Sequence, residues 1–259
     1  VGGGYIGLEV ASAAVKAGCT VTLLEGAERL MSRVTSPPVS RYFQELHEEN
    51  GVRVLLGSTV AEIRGTGSVE SVVTSSGEVV PVDGVIFGIG VTPNEHLAQD
   101  AGIACNDGIL VDDCGRSSDP DIYAAGDVAR FRGFDGRMMR LECIQNASDQ
   151  ANAIAAHMIS GRSTEPALPW FWTVQHGVRL QSAGLRSPQD DMAIRRAPND
   201  AGFSVLYFRD RTLTAIDTVD CLADFAVGKK LIASKARIDP GRAADPAIKL
   251  KDIIKLEAV

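Results

Sequence analysis

The 259 residues contain no C-x-x-C pair and no zinc-type spacing of cysteines and histidines. Cys19, Cys105, Cys114, Cys143 and Cys221 are scattered singly, and the four histidines form no H-x-x-x-H cluster. That pattern argues against a metal site, and an odd, unpatterned set of thiols fits a reducing, cytoplasmic compartment. Cys19 and Cys143 are expected as small buried residues. No apolar run approaches the roughly 20 residues of a membrane helix, so no membrane partner is expected; no signal peptide is seen, a point that the expected missing N-terminal part leaves open. A dense basic stripe and nucleic-acid motifs are also missing, which removes nucleic acid from the partners.

What is present is ordinary for a globular chain: 45% hydrophobic and 23% charged residues, with room for two or three cores. The net charge of −7 is uneven. Val1–Ala167 holds 12 basic against 22 acidic residues, and Leu168–Val259 holds 14 against 11. The C-terminal third is therefore mildly basic, which suits either an acidic partner or a solvated surface.

The opening stretch, VGGGYIGLEVA, places Gly2, Gly4 and Gly7 in a G-x-G-x-x-G pattern. Such glycines permit a tight turn, a close approach of backbone to a diphosphate, and tight helix–strand packing, with helix amides facing the phosphate. The helical run that follows ends at Gly18, and Thr20–Leu24 reads as a buried strand delivering Glu25 where an acid would hold an adenosine ribose. A dinucleotide site outweighs a plain tight turn in that context. Only Val1 precedes the glycines, so the first strand of this Rossmann-like domain is expected to be missing, along with an N-terminal part of the protein.

Further along, Val39–Glu49 reads as a helix and Val52–Leu56 as the next parallel strand. Val60–Arg64, Val69–Thr74 and Val79–Val82 read as a small antiparallel insertion with a turn at Ser75-Ser76-Gly77. Asp83–Gly90 should return a strand to the parallel sheet. Leu110-Val111 and Asp121–Ala124 read as strands, and Gln145–Ser160 as a long helix. Beyond Leu168, four strand-like runs (178–183, 192–196, 203–208 and 213–219) and a helix over Ala223–Ser234 form an α+β unit. The expected fold class is α/β: an NAD-binding domain over 1–92, the second half of an FAD-binding domain over 93–167, and a C-terminal α+β domain over 168–259.

In Ser118–Ala129 (SDPDIYAAGDVA), a strand is expected to end at Gly126, with Asp127 opening a helix. Asp127 could accept from sugar hydroxyls or serve only as a helix cap. The stretch resembles the second FAD-contacting motif of the two-dinucleotide-domain, FAD-dependent pyridine-nucleotide oxidoreductases. GGGYIGLEVA, LLEGAERLMSR, GIGVTPN, AAGDVARF, RLECIQNASDQA and PWFW…Q…LQSAGL narrow the likeness to the ferredoxin reductases of oxygenase systems, the putidaredoxin-reductase-like group.

The resemblance implies site roles by position. Gly2, Gly4, Tyr5, Ile6 and Gly7 would line the NADH diphosphate, and Glu9 would stand beside the nicotinamide carboxamide. Glu25 and Arg33 would meet the adenosine end, the acid favouring NADH over NADPH. Ile89 and Gly90 would follow the nicotinamide half. Gly126 and Asp127 would hold the FAD sugar or diphosphate, with Ile144 and Trp172 near the isoalloxazine. Where the group commonly reads PWFWSDQYD, this chain has Thr173-Val174-Gln175-His176-Gly177 after the tryptophans, which places the local flavin contacts in question.

The implied activity is that of an FAD-dependent NADH:ferredoxin oxidoreductase serving a cytochrome P450 or a ring-hydroxylating dioxygenase. The implied partner is a [2Fe-2S] ferredoxin, and the expected state is a monomer or weak homodimer. Arg130, Arg132, Lys229, Lys230 and Lys235 are candidate docking charges. Alternatives on the same fold are an NADH oxidase, a rubredoxin reductase or a disulfide reductase. Others are an NAD-binding interaction protein like the apoptosis-inducing factors, or an inert fragment.

Overall fold

The computed structural model describes residues 1–133, 136–162, 167–197 and 202–253. The chain forms two compact units, Val1–Gly90 with Thr173–Leu180, and Val91–Trp172 with Gln181–Val259. Among the described residues no helix is long and apolar enough to cross a membrane.

The first unit begins with α1 (Tyr5–Lys16), β1 (Thr22–Glu25), α2 (Pro37–Glu49) and β2 (Arg53–Leu56). It continues with β3 (Val60–Arg64), β4 (Ser71–Thr74) and β5 (Val79–Pro81). β1 and β2 pair in parallel, with Thr22 opposite Arg53 and Glu25 opposite Leu56. Helix α1 buries Leu8 and Ala11, and α2 buries Val39, Phe43 and His47, four residues apart on one face. The expected insertion is present as the antiparallel β3-β4-β5 sheet.

The strand expected over Asp83–Gly90 is not formed. Its backbone bonds run to Val1: Gly88 N–H donates to the Val1 carbonyl at 2.8 Å, and the Val1 amine donates to Ile86 O at 2.7 Å. One opposing residue cannot build a ladder, and Ile86, Phe87 and Ile89 stay half-exposed or more. On its other side Gly2 N–H donates to Leu24 O at 2.8 Å, so the glycine stretch lies between β1 and residues 86–88.

The second unit opens with α3 (His96–Asp100), β6 (Ile109–Leu110), β7 (Ala129–Arg132), β8 (Met138–Met139) and α4 (Ile144–Ser160). Two expectations fail here. Asp121–Ala124 is not a strand, because Ile122 N–H is taken by Asp119 O in a turn through Pro120, leaving Tyr123 a single bridge to Arg116. Asp127 does not open a helix of any length: Gly126–Val128 is one 3-10 turn. Pairing of β7 with β6 in parallel draws the residues that follow into a sheet.

The aromatic segment forms β9 (Trp170–Gln175), followed by β10 (Val178–Gly184), β11 (Asp191–Arg196), β12 (Phe203–Arg209) and β13 (Thr212–Val219). Their order in the sheet is β11-β12-β13-β10-β9. Helices α5 (Leu222–Ala233) and α6 (Pro240–Ala244) complete the α+β part. Leu206, Phe208, Ile216, Phe225, Leu231 and Ile232 belong to its core. The buried Arg195 ties β11 to α5 through Asp224 (3.1 Å) and also donates to the carbonyls of Ala243 and Ile248. Its charge is thus met by acceptors rather than left bare.

Asp217 on β13 is buried, accepting from Ser182 Oγ at 2.6 Å and Tyr207 Oη at 2.5 Å. Burial pushes its carboxyl above the ordinary range, against those two bonds, which favour the anion. A folded-state value above the unfolded one contributes stability at low pH that is lost as pH rises through the folded value. Asp217→Asn should remove that dependence. Its unfolding free energy should gain on the unsubstituted chain by up to about 1.4 kcal/mol per pH unit across the window above an ordinary aspartate. Urea unfolding followed by tryptophan fluorescence checks this, since both tryptophans lie in the second unit. A difference that stays constant with pH would contradict it.

Candidate functional site

In the first unit, the chain turns from Gly2 into α1 without side-chain assistance. Gly4 caps the helix in an extended conformation, no side chain caps it, and no acid lies in its first turn. Its end is therefore electropositive and open to an anion. The three glycines of the pattern do different things. A Cβ on Gly7 would sit 1.9 Å from Gly2 O, and one on Gly2, at φ +102°, would sit 2.3 Å from Gly88 O. Gly4 differs: a Cβ there would meet nothing within 4 Å. Gly2 and Gly7 are required by the fold itself, whereas the space above Gly4 is open. Ile6 is exposed, and Tyr5 is partly so.

Glu25, at the end of β1, bends back onto the glycine stretch. One carboxylate oxygen accepts from Gly3 N–H at 2.6 Å and the other from Ala27 N–H at 2.8 Å. Gly3, which the sequence pattern leaves unassigned, is thus pinned, its carbonyl also receiving Met31 N–H at 2.8 Å. Each Glu25 oxygen keeps a second lone pair for a hydroxyl. Arg33 is exposed, and a Cβ on Gly90 would come within 3.8 Å of its Nη2, so the two are neighbours. Ile89 is exposed beside them in sequence.

Glu9 is exposed on α1 and accepts from Thr173 Oγ at 2.6 Å. Behind it lies a polar cluster that sequence reasoning noted only as a departure from a family pattern. Gln175 Nε2 donates to Thr173 Oγ at 3.2 Å, and Gln175 Oε1 lies 2.9 Å from His47 Nε2. His47 Nδ1 lies 3.1 Å from His176 Nε2, while His176 N–H donates to Ser12 Oγ at 2.8 Å. Burial lowers the pKa of both histidines, so both are neutral at pH 7. The weak signal available was His47 in register with Val39 and Phe43, a polar residue on a buried face.

In the second unit a cavity is lined by Asp112, Asp113, Asn146, Gln150, Ile154 and Trp170 among others. Gly126 N–H donates to Gln150 Oε1 at 2.7 Å, which joins the 3-10 turn to α4. The expected flavin residues lie around this region rather than in the cavity wall. Asp127 is exposed, with its carbonyl bonded by Arg140. Ile144, the first residue of α4, is 75% exposed. Trp172 is 44% exposed and stacks on Trp170 at 5.4 Å. Lys229 covers Trp170 at 4.4 Å.

Two expectations about single residues change. Arg130 is engaged by Asn106 O and by Asp107, which leaves it poorly placed as a free docking charge. Neither cysteine expected in a core is buried: Cys19 is exposed in the turn after α1, and Cys143, just before α4, is only partly covered. None of the five cysteines is in a disulfide, and no cluster of three metal-type ligands occurs among the described residues.

The family model for pyridine nucleotide-disulphide oxidoreductases matches residues 1–151, and the reductase C-terminal model matches 170–254. A ferredoxin–NAD(P)(+) reductase of a Sphingomonas species is 40% identical over 258 residues, covering 98% of this chain and 62% of the relative. Putidaredoxin reductase of Pseudomonas putida is 39% identical over 259 residues, covering 98% and 61%. Among solved structures, a ferredoxin reductase from Rhodopseudomonas palustris superposes with a TM-score of 0.92 at 38% identity, covering 97% of this chain and 63% of that one. The covalent putidaredoxin reductase–putidaredoxin complex gives 0.94 at 38% identity, covering 100% and 63%. The chain thus spans about three-fifths of the length of these relatives. With its Rossmann-like glycine turn, its second α/β segment and its α+β end, the chain belongs to the pyridine nucleotide-disulphide oxidoreductase family.

Proposed function

We propose that this chain is the NADH-binding and electron-delivering part of an FAD-dependent ferredoxin reductase of the cytoplasm, serving a cytochrome P450 or a dioxygenase. The observation that carries the nucleotide half is the end of α1, with no side-chain cap and no acid in its own first turn, beneath the open space at Gly4, with Glu25 fixed beside it. The ferredoxin half rests on the relatives, one named a ferredoxin–NAD(P)(+) reductase and another a putidaredoxin reductase.

In this reading residues 1–92 bind NADH, 93–167 contribute to an FAD site, and 168–259 form the reductase C-terminal part. Gly2 and Gly7 shape the loop, and Gly4, Tyr5 and Ile6 meet the diphosphate. Glu25 accepts a ribose hydroxyl; a 2′-phosphate there would face a carboxylate, so NADPH binds less well. Arg33 lies at the adenosine end, Ile89 and Gly90 along the nicotinamide half, and Glu9 takes the carboxamide.

The residues of the second unit suit a flavin's polar chain and its ring. Asp127 offers an exposed carboxylate right after Gly126, and Trp172 an aromatic face at the surface. Gly126 and Asp127 would hold the sugar or diphosphate, and Ile144 and Trp172 the ring. A bound FAD would supply the chemistry, hydride acceptance from NADH and release of single electrons, while these residues would hold and orient it and exclude water.

The test is the visible spectrum of the purified chain supplied with FAD and freed of excess, before and after NADH. Retained flavin that bleaches with NADH, and turnover with a [2Fe-2S] ferredoxin, are expected of a competent reductase. Retained flavin that NADH leaves unchanged would refute it.

Gly4→Ala should leave thermal stability within about 0.5 kcal/mol. It should nevertheless weaken NADH binding at least tenfold, because the new methyl enters the open space. Gly7→Ala should instead unfold the first unit, since its Cβ cannot coexist with Gly2 O. Circular dichroism melts alongside calorimetric NADH titration separate the two, and equal behaviour of both variants would contradict the assignment of Gly4.

A further inference from the structure

The polar cluster behind Glu9 has a single consistent direction. Thr173 has one hydroxyl proton, and Glu9 at 2.6 Å is an acceptor-only carboxylate, so that proton goes to Glu9. Gln175 must then donate to Thr173 through Nε2, which turns its Oε1 toward His47. A neutral His47 must therefore carry its proton on Nε2, and its bare Nδ1 must accept from His176 Nε2. Reversing any step would set two acceptors or two donors face to face.

The groups are held where such a chain needs them. Thr173, Gln175 and His47 are each at most 1% exposed, whereas Glu9 is exposed. His176 is fixed through its backbone N–H to Ser12, one turn along α1 from Glu9. A buried, fully satisfied chain of this kind is rigid. It ends on one oxygen of a carboxylate and leaves the other oxygen free to accept.

We propose that Thr173, backed by Gln175, His47 and His176, is a positioning residue for Glu9. It ties one carboxylate oxygen so that the other is presented to a carboxamide N–H₂ donor on a dinucleotide. This rests on the dinucleotide reading above and adds a specificity: the chain selects the amide-bearing end of the ligand, not its adenosine or diphosphate. A carboxylate in place of that amide would be repelled by Glu9.

Calorimetric titration with two probes separates these claims. ADP-ribose carries the adenosine and diphosphate without the nicotinamide, and NAD⁺ carries all three. For the 259-residue chain, Thr173→Val should weaken NAD⁺ about five- to tenfold while leaving ADP-ribose within twofold. Thr173→Ser, which restores the hydroxyl, should bring NAD⁺ back to within twofold. Thr173→Ala, whose smaller side chain cannot clash, should lose NAD⁺ affinity as the valine variant does, so poor packing of valine cannot hide the result. In a Glu9→Gln background the cost of Thr173→Val should disappear, because the residue acts through the carboxylate.

Equal loss of both ligands without rescue by serine would make Thr173 merely structural and overturn the proposal. So would an undiminished cost in the Glu9→Gln background, or no change at all. If the unsubstituted chain bound ADP-ribose but showed no gain with NAD⁺, the positioning claim would fail while the dinucleotide reading stood. If it bound neither ligand, both would fall.

Discussion

The first unit depends on how closely backbone can approach backbone at two glycines. Gly7 packs on Gly2 O, and Gly2 packs on Gly88 O, at separations that no side chain would survive. Those contacts place the start of α1 against the stretch between β1 and residues 86–88. Everything the site offers an anion follows from that placement: the helix end without a side-chain cap, the open space above Gly4, and Glu25 within reach of Gly3. A glycine can therefore be required for two opposite reasons, one because the protein fills the space and one because it leaves it empty. Only the first is visible as a clash within the chain.

Much of this was legible in the sequence because it is local. The G-x-G-x-x-G turn, α1 ending near Gly18, the β1 strand and the antiparallel insertion all follow from short-range periodicity and turn residues. The strand over Asp83–Gly90 and the one over Asp121–Ala124 were not, because an apolar run becomes a strand only when something pairs with it. Ile86 and Phe87 have the composition of a buried strand but only Val1 opposite them. Tyr123 is stopped by a turn at Pro120. Asp127 looked like a helix cap, yet the residues after Val128 pair with β6 instead.

The polar cluster was illegible for another reason. His47 and Gln175 are 128 residues apart, and no local pattern joins them. From sequence, His47 is an anomaly on the apolar face of α2, and Thr173–His176 is a break from a familiar motif. Each oddity answers the other: a buried imidazole needs acceptors and donors, and the β9–β10 hairpin supplies both. A polar residue in register with a buried helical face is thus a signal of a distant partner, although the partner's position cannot be read from it.

The two acids of the first unit are handled in the same physical way. Glu25 takes one backbone N–H on each oxygen, and Glu9 takes a hydroxyl on one. Neither is saturated, since a carboxylate can accept about four hydrogen bonds. A free glutamate loses rotamer entropy when it binds a ligand, on the order of 1 kcal/mol or more. These two lose much of it on folding, before any ligand arrives. Binding energy is then available for choosing between ligands rather than for ordering the protein, and the choice falls at both ends of an extended molecule. In the proposed reading, an acid fixed at the ribose end would refuse a phosphate, and an acid fixed at the other end would favour a donor. Preorganised carboxylates at separate points of one unit would, on that reading, distinguish a dinucleotide by its ends rather than by its diphosphate alone.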